Sequence, residues 1–355
     1  MNKIIRILML AALFVVSFAA CERRPLVDPT SSVSIRVQVN IKAIANVTTE
    51  IYNERIPVPD LTTSSMRVMI YDPETKGRIG ESIISGRTVD NEGNQVLSGN
   101  LNISYGRYDL LVYNEFDTPK TKVSNTGNEN SIIAYTDDIS AEARLRYGLV
   151  ESKADDDEVH DLSTIEIKEE PDHLVVAREQ DLYVSPHDTV VVIKTTARTI
   201  VDSYYIQIHV EGMKYASSAS AVISGLSPSN RFGLGLRTVE PPTAVCFALN
   251  KSVDVNIAGE NKDVLCAVFN TFGKIEDATS NLYVTFNVID TSGKIQKKEV
   301  NLDQIFKTED AIKRHWLLVD ETWTLENPEQ PPVNQGGGFQ PVVDEWEHEE
   351  GNITL

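Results

Sequence analysis

Nowhere does the chain carry a run of eighteen apolar residues, so no segment has the length of a helix that crosses a hydrocarbon core. Cysteine is scarce: three residues in 355, at 21, 246 and 266, with no Cys-x-x-Cys and no Cys/His cluster, which leaves zinc without a ligand set. Catalytic signatures are missing as well. There is no Gly-x-Ser-x-Gly, no His-Glu-x-x-His, no Gly-x-Gly-x-x-Gly and no Walker-type phosphate loop, so no catalytic residue, metal or cofactor is expected. Positive charge falls short of negative, 33 Lys and Arg against 52 Asp and Glu, a formal net charge of -19. A surface of that sign repels phosphate backbones and excludes a nucleic-acid partner. It also offers no polybasic attraction to anionic lipid, so any membrane attachment needs another device. Aromatic residues, 7% of the chain, do not cluster into a sugar-stacking platform.

The first twenty residues supply that device. Lys3 and Arg6 form a positive start, Ile7 to Ala20 is an uncharged apolar run, and Ala19 and Ala20 precede Cys21. This is the layout of a signal peptide, too short to span comfortably. The junction resembles the lipobox of bacterial lipoproteins, with Phe18 at the third position before the cysteine. Residues 1–20 are therefore expected as signal, Cys21 as the lipidated residue and 21–32 as a tether carrying Pro25 and Pro29. Export would place Cys246 and Cys266 in an oxidising compartment. They are a candidate disulfide; the other reading is two buried thiols, since both lie in apolar, strand-like runs.

From residue 33 the dominant period is two. Val33, Ile35, Val37 and Val39 alternate with Ser34, Arg36, Gln38 and Asn40, the pattern of a half-buried strand. Met66 to Tyr71, Arg107 to Asn114, the alternating run from Tyr204 and NLYVTFNV repeat the signal. Asp72–Gly77, Asp90–Asn94 and Asp290–Lys294 read as turns between strands. A helical period persists nowhere; only Glu309 to His315, with Thr308 as N-cap, reads as a short helix. Many short strands with turns between them predict an all-β antiparallel sandwich architecture. The expected layout is one sandwich over 33–175 and a second over 186–325, joined between about Glu170 and Pro186. A Pro/Gly-rich connector over 326–338 and a terminal strand over 339–355 follow. That last segment carries Val342, Val343, Trp346 and Ile353, which are costly to leave in water. It either completes its own sheet or is donated to a neighbour.

Two further patterns invite ligands. Asp155, Asp156, Asp157, Glu158 and Asp161 could supply carboxylate oxygens to Ca²⁺, but the run lacks EF-hand spacing and its glycine, so a solvated loop is the favoured reading. Of the six histidines, His209 falls on the polar face of its strand and is expected in solvent; His160, His173 and His187 lie in loops near the acidic run.

CERRPLVDP after the signal, MRVMIYDPETKGR, YGRYDLLVYNEF, SYYIQIHVEG with SGLSPS, and the closing GGGFQPVVDEWE together resemble the Bacteroidota fimbrial-anchor lipoproteins of the fimbrillin and Mfa-like superfamily. The resemblance implies two tandem transthyretin-like β-sandwich domains and no enzyme activity. It also implies a lipid-held place on the outer membrane, on its surface or its periplasmic face. The implied partners are fimbrial subunits or other envelope proteins, met by strand pairing; the alternative is a surface adhesin that binds a glycan or host ligand. Asp188-Thr189-Val190 is similar to the Asp-Thr-aliphatic O-glycosylation sites of that phylum, which makes Thr189 a candidate. If Cys21 carries the lipid, Cys21→Ala moves the protein from the detergent phase to the aqueous phase on partitioning; unchanged partitioning would remove the lipid from the account.

Overall fold

The runs richest in Leu, Val and Tyr in the first half, β2 (Met66–Tyr71) and β6 (Gly106–Asn114), pair antiparallel from Met66↔Asn114 to Tyr71↔Asp109. They do so in a computed structural model that describes residues 32–40, 51–91, 95–115, 119–149, 165–239, 241–257, 260–275 and 282–328. The signal, Cys21, the acidic run and the segment 339–355 lie outside the described residues. β2 and β6 form the middle of a five-stranded sheet, flanked by β3 (Arg78–Ile84) on one side and by β10 (Val175–Val184) and β12 (Arg198–Thr199) on the other. A four-stranded sheet lies over it, in the order β11 (Val190–Thr196), β1 (Ser32–Asn40), β5 (Gln95–Ser104), β4 (Gly86–Val89). Val68, Ile70, Leu97, Leu101, Leu110 and Val112 fill the space between them. Gly99 is needed there: a Cβ at that position would sit 2.4 Å from Ile84 Cγ2.

The second half repeats the layering. One sheet runs β18 (Asn250–Ile257), β19 (Glu260–Thr271), β13 (Asp202–Glu211), β22 (Trp316–Thr324). The other runs β21 (Ile295–Asn301), β20 (Tyr283–Asp290), β14 (Ala216–Leu226), β17 (Thr243–Ala248), β9 (Ile167–Lys168). Ile206, Ile208, Leu265, Val284, Phe286 and Leu317 lie between them, and Phe247 stacks on Phe269 at 4.6 Å. The helix at Glu309–Arg314 forms as its cap foretold, with the Thr308 hydroxyl accepting from Ala311 N. We call it α2, because another six-residue helix that periodicity did not signal, α1 (Ala141–Arg146), precedes it. The sheets are not wholly antiparallel: β1 with β11, β13 with β22 and β17 with β9 run parallel.

The chain does not cross between the layered pairs where the alternation suggested. β10 lies inside the expected join and pairs with β6; β11 and β12, beyond it, also belong to the first pair of sheets. The crossing falls at Ala197–Val201, just before β13. In exchange, Ile139, Ile167, the α1 residue Ala143 and Tyr147 at the α1 C-cap cover the outer face of β14 and β17 in the second half. A small sheet mixes both halves outright, in the order β16 (Leu236–Arg237), β15 (Ser229–Arg231), β8 (Ile133–Tyr135), β7 (Lys122–Ser124). Alternating runs on either side of a loop look alike in sequence, and periodicity alone does not say which sheet a run joins.

One buried ionic cluster sits beside this mixed layer. Asp109, on β6, is 2% exposed; it accepts from Lys76 Nζ and, at 2.7 Å, from Asp181 N. Lys76 Nζ also lies 3.2 Å from Glu129 Oε2, and Arg178 Nη2 lies 3.4 Å from Glu129 Oε1. Burial by itself would raise the Asp109 carboxyl, but Lys76 and the Asp181 N–H outweigh it and hold the group below the ordinary carboxylate range. Its contribution to stability is therefore present above the ordinary carboxylate pKa and is lost as pH falls through the lowered folded value. Lys76→Met leaves two buried carboxylates short of their cation and is expected to cost about 3–5 kcal/mol, read as a lower denaturation midpoint at neutral pH. The deficit should shrink in acid, as Asp109 protonates.

Candidate functional site

A sheet edge is a row of unpaired N–H and C=O groups, and folded proteins blunt it with short strands, charge, proline or bulges. Most edges among the described residues are blunted in one of these ways. β4, β7, β9, β12 and β16 are four residues or fewer. β3 carries Arg78 and Glu81, and β21 carries Lys297, Lys298 and Glu299. β18 and β22 each break register against their neighbour, and β22 adds Asp320 and Glu321.

β11 is the exception. Its seven residues, VVVIKTT, run without a register shift along β1, from Ser34↔Val190 to Asn40↔Thr196. Among the described residues no other strand pairs with its far side. Ile193 and Thr195 point inward and are buried, while Val190 and Val192 point outward and are 58% and 53% exposed. Lys194, also exposed, is its one charge. The run is legible in sequence as a strand. Its place at an edge is not, because that depends on which strands lie beside it.

The residues singled out from sequence fall elsewhere. Thr189 is exposed in the turn that leads into β11. Cys246 and Cys266 are both free, which corrects the disulfide reading. On β17, Val245 and Phe247 face the core and Cys246 points away from it; on β19, Leu265 and Ala267 face the core and Cys266 points away. The two thiols thus lie on the outer faces of opposite sheets, with the core between them. Burial pushes the Cys246 thiol up to about 12, and Cys266 Sγ lies 3.8 Å from Ser252 Oγ. His209 is not in solvent as its strand face suggested: it is 7% exposed, its Nδ1 has no hydrogen-bond partner, and burial lowers its pKa.

His173 lines a cleft of about 220 Å³ with Asp60, Asn114, Asp172 and Asn270, where the two layered pairs meet. Its ring bonds Thr199 Oγ1 at 3.2 Å and Ser203 Oγ at 3.3 Å, and burial lowers its pKa. Asp172 accepts from Lys120 N and Thr121 N, and Asn114 bonds Val175 N and the His173 carbonyl. These groups are spent on one another, so the cleft is a seam between the halves.

Comparison with known proteins follows the same lines. The family model described as a domain of unknown function, DUF5119, matches residues 20–246. A Bacteroides ovatus protein named as a candidate fimbrium anchoring subunit, Fim4B, is 22% identical over 94% of this chain and 93% of its own length. Among solved structures, a Bacteroides ovatus protein described as a candidate adhesin superposes with a TM-score of 0.57 at 16% identity, over 88% of this chain and 99% of that one, and so shares the fold. The fimbrial anchor protein Mfa2 from Porphyromonas gingivalis gives a TM-score of 0.46 at 9% identity, over 81% of this chain and 88% of that one.

The cysteine geometry has a direct readout. A maleimide at pH 8 should label Cys266 in the native protein well before Cys246, and both on unfolding without reductant. A protein that needs reductant before either residue labels would restore the disulfide.

Proposed function

The chain belongs to the DUF5119 family, and on that footing we propose that it is a lipid-anchored protein of the bacterial outer membrane that holds a fimbria by strand pairing. The observation that carries the reading is β11. An extended segment of a fimbrial subunit added along it would gain backbone hydrogen bonds for affinity, while Val190, Val192 and Lys194 would read its alternate side chains. Aliphatic residues beside the valines and an acid beside Lys194 are the matching chemistry. The end-to-end alignment with a relative named for fimbrium anchoring supports the partner class. The role is structural and not catalytic.

In this reading Cys21 carries the acyl chains and the residues up to 32 are the tether. The segment 339–355 is a terminal strand that completes this chain's own sheet or is given to the next subunit. Thr189, exposed at the head of β11, is where a glycan would flank the contact. A second reading, a surface adhesin for a glycan or host protein, draws on the description of the structural relative.

Val190→Lys with Val192→Lys tests the edge. Both side chains are exposed, so the stability should hold within about 0.5 kcal/mol. Binding of purified fimbrial subunits should weaken roughly tenfold or more, about 1.4 kcal/mol. Undiminished binding would rule out β11 as the contact, and absence of fimbrial binding in the unaltered protein would favour the adhesin.

A further inference from the structure

β1 is held on both sides. It makes nine residue pairs with β5, from Ser32↔Ser104 to Asn40↔Val96, and seven with β11, from Ser34↔Val190 to Asn40↔Thr196. It is also the first described strand after the residue proposed to carry the lipid. Its direction relative to the rest of the molecule follows from the pairing. β1 and β11 are parallel, so the Asn40 end of β1 lies beside Thr196. From Thr196 the chain runs through Ala197 and Val201 into β13, an inner strand of the second pair of sheets. The Asn40 end of β1 therefore faces the second half, and the Ser32 end points away from it. The residues that follow β1 agree. Arg55 donates to Gln207 Oε1 at 3.4 Å and stacks 4.3 Å above the Trp316 ring, both in the second half.

We infer that β1 is a mechanical clamp, a function that rests on the reading of an N-terminal anchor. Load between the N-terminal tether and a neighbour held through the second half, as when the segment after β22 is donated, runs parallel to the β1 axis. It meets the hydrogen bonds to β5 and to β11 in shear, where they carry the force together. A pull across the same strands would open them one pair after another. Pairing on both sides doubles the ladders that must slip before the tether draws β1 out. An edge strand at this place in the chain would have half that hold.

Force spectroscopy on the chain from residue 22 to 355 separates the two geometries within one fold. One handle is attached at the N-terminus. The other is attached through Thr189→Cys or through Thr291→Cys, in a background of Cys246→Ala and Cys266→Ser. Thr189 precedes Val190, at the same end of the ladder as Ser34, so this pair of handles peels the strands apart. Thr291 lies in the β20–β21 turn and donates its N–H to the Tyr215 carbonyl, just past the end of β13 that is opposite the crossing at Ala197–Val201, so this pair loads β1 along its length. Forced unfolding reports the barrier met along each direction, and the Thr291 geometry should rupture at roughly twofold higher force than the Thr189 geometry. Equal forces, or a lower force through Thr291, would overturn the clamp. Matching melting temperatures for the two handle variants establish that both start from the same fold. Neither geometry involves the lipid, so detergent partitioning of Cys21→Ala stands or falls separately.

Discussion

The architecture depends on β2 and β6 being apolar on both faces. Val68, Ile70, Leu110 and Val112 meet the inner core, while Met69, Tyr71, Leu111 and Tyr113 face the other way and are buried as well. A sheet whose two faces are both apolar needs a second cover, since each large side chain left in water forgoes about 1.5–3 kcal/mol. The first half does not provide all of that cover. β7 and β8 come from it, but Phe232 and Phe272 come from the second, and Phe232 meets Tyr113 edge to face at 5.5 Å. The second half has the mirror need at Val222, Ala244 and Cys246, and is served by Ile139, Ile167 and α1 from the first. Each half lends the other its outer layer.

That exchange explains where the buried polar groups collect. Glu129 lies under the mixed layer at 1% exposure, against Lys76 and Arg178. Gly233, from the second half, approaches it so closely that a Cβ would fall 1.8 Å from the Glu129 carbonyl oxygen. Only a residue without a side chain fits there. The His173 seam has the same origin, a histidine from the first half bonded to Ser203 at the start of β13. These are the polar costs of joining two apolar layers: His173 is met by Ser203 from across the join, and Glu129 by Lys76 and Arg178 of the first half.

Much of this was legible from residue order and some was not. The alternating runs that became β2, β6, β13 and β20, the Asp290–Lys294 turn and the capped helix α2 follow from local chemistry, which the fold leaves intact. The crossing point, β9 and the mixed sheet depend on contacts between residues far apart in the chain. Two- or three-residue strands leave no period to detect. His209 misled for a related reason: alternation reports which side of a strand a residue occupies, and both sides of β13 are covered at that point. The cysteines share an apolar setting in sequence, but their facing is set by sheets that meet only in the fold. The open edge of β11 was hidden in the same way, because an edge is a property of a neighbour's absence.

The lent layer also sets an order on the making of the protein. The chain is made from the N-terminus onward, and β2 and β6 emerge long before Phe232 and Phe272. Until those residues arrive, Met69, Leu111 and Tyr113 form an apolar surface that the first half covers only in part. Such a surface invites aggregation while synthesis is still under way. A cell that makes this protein must shelter that face until the second half of the chain has been made, and a stalled or truncated product would keep it exposed for good.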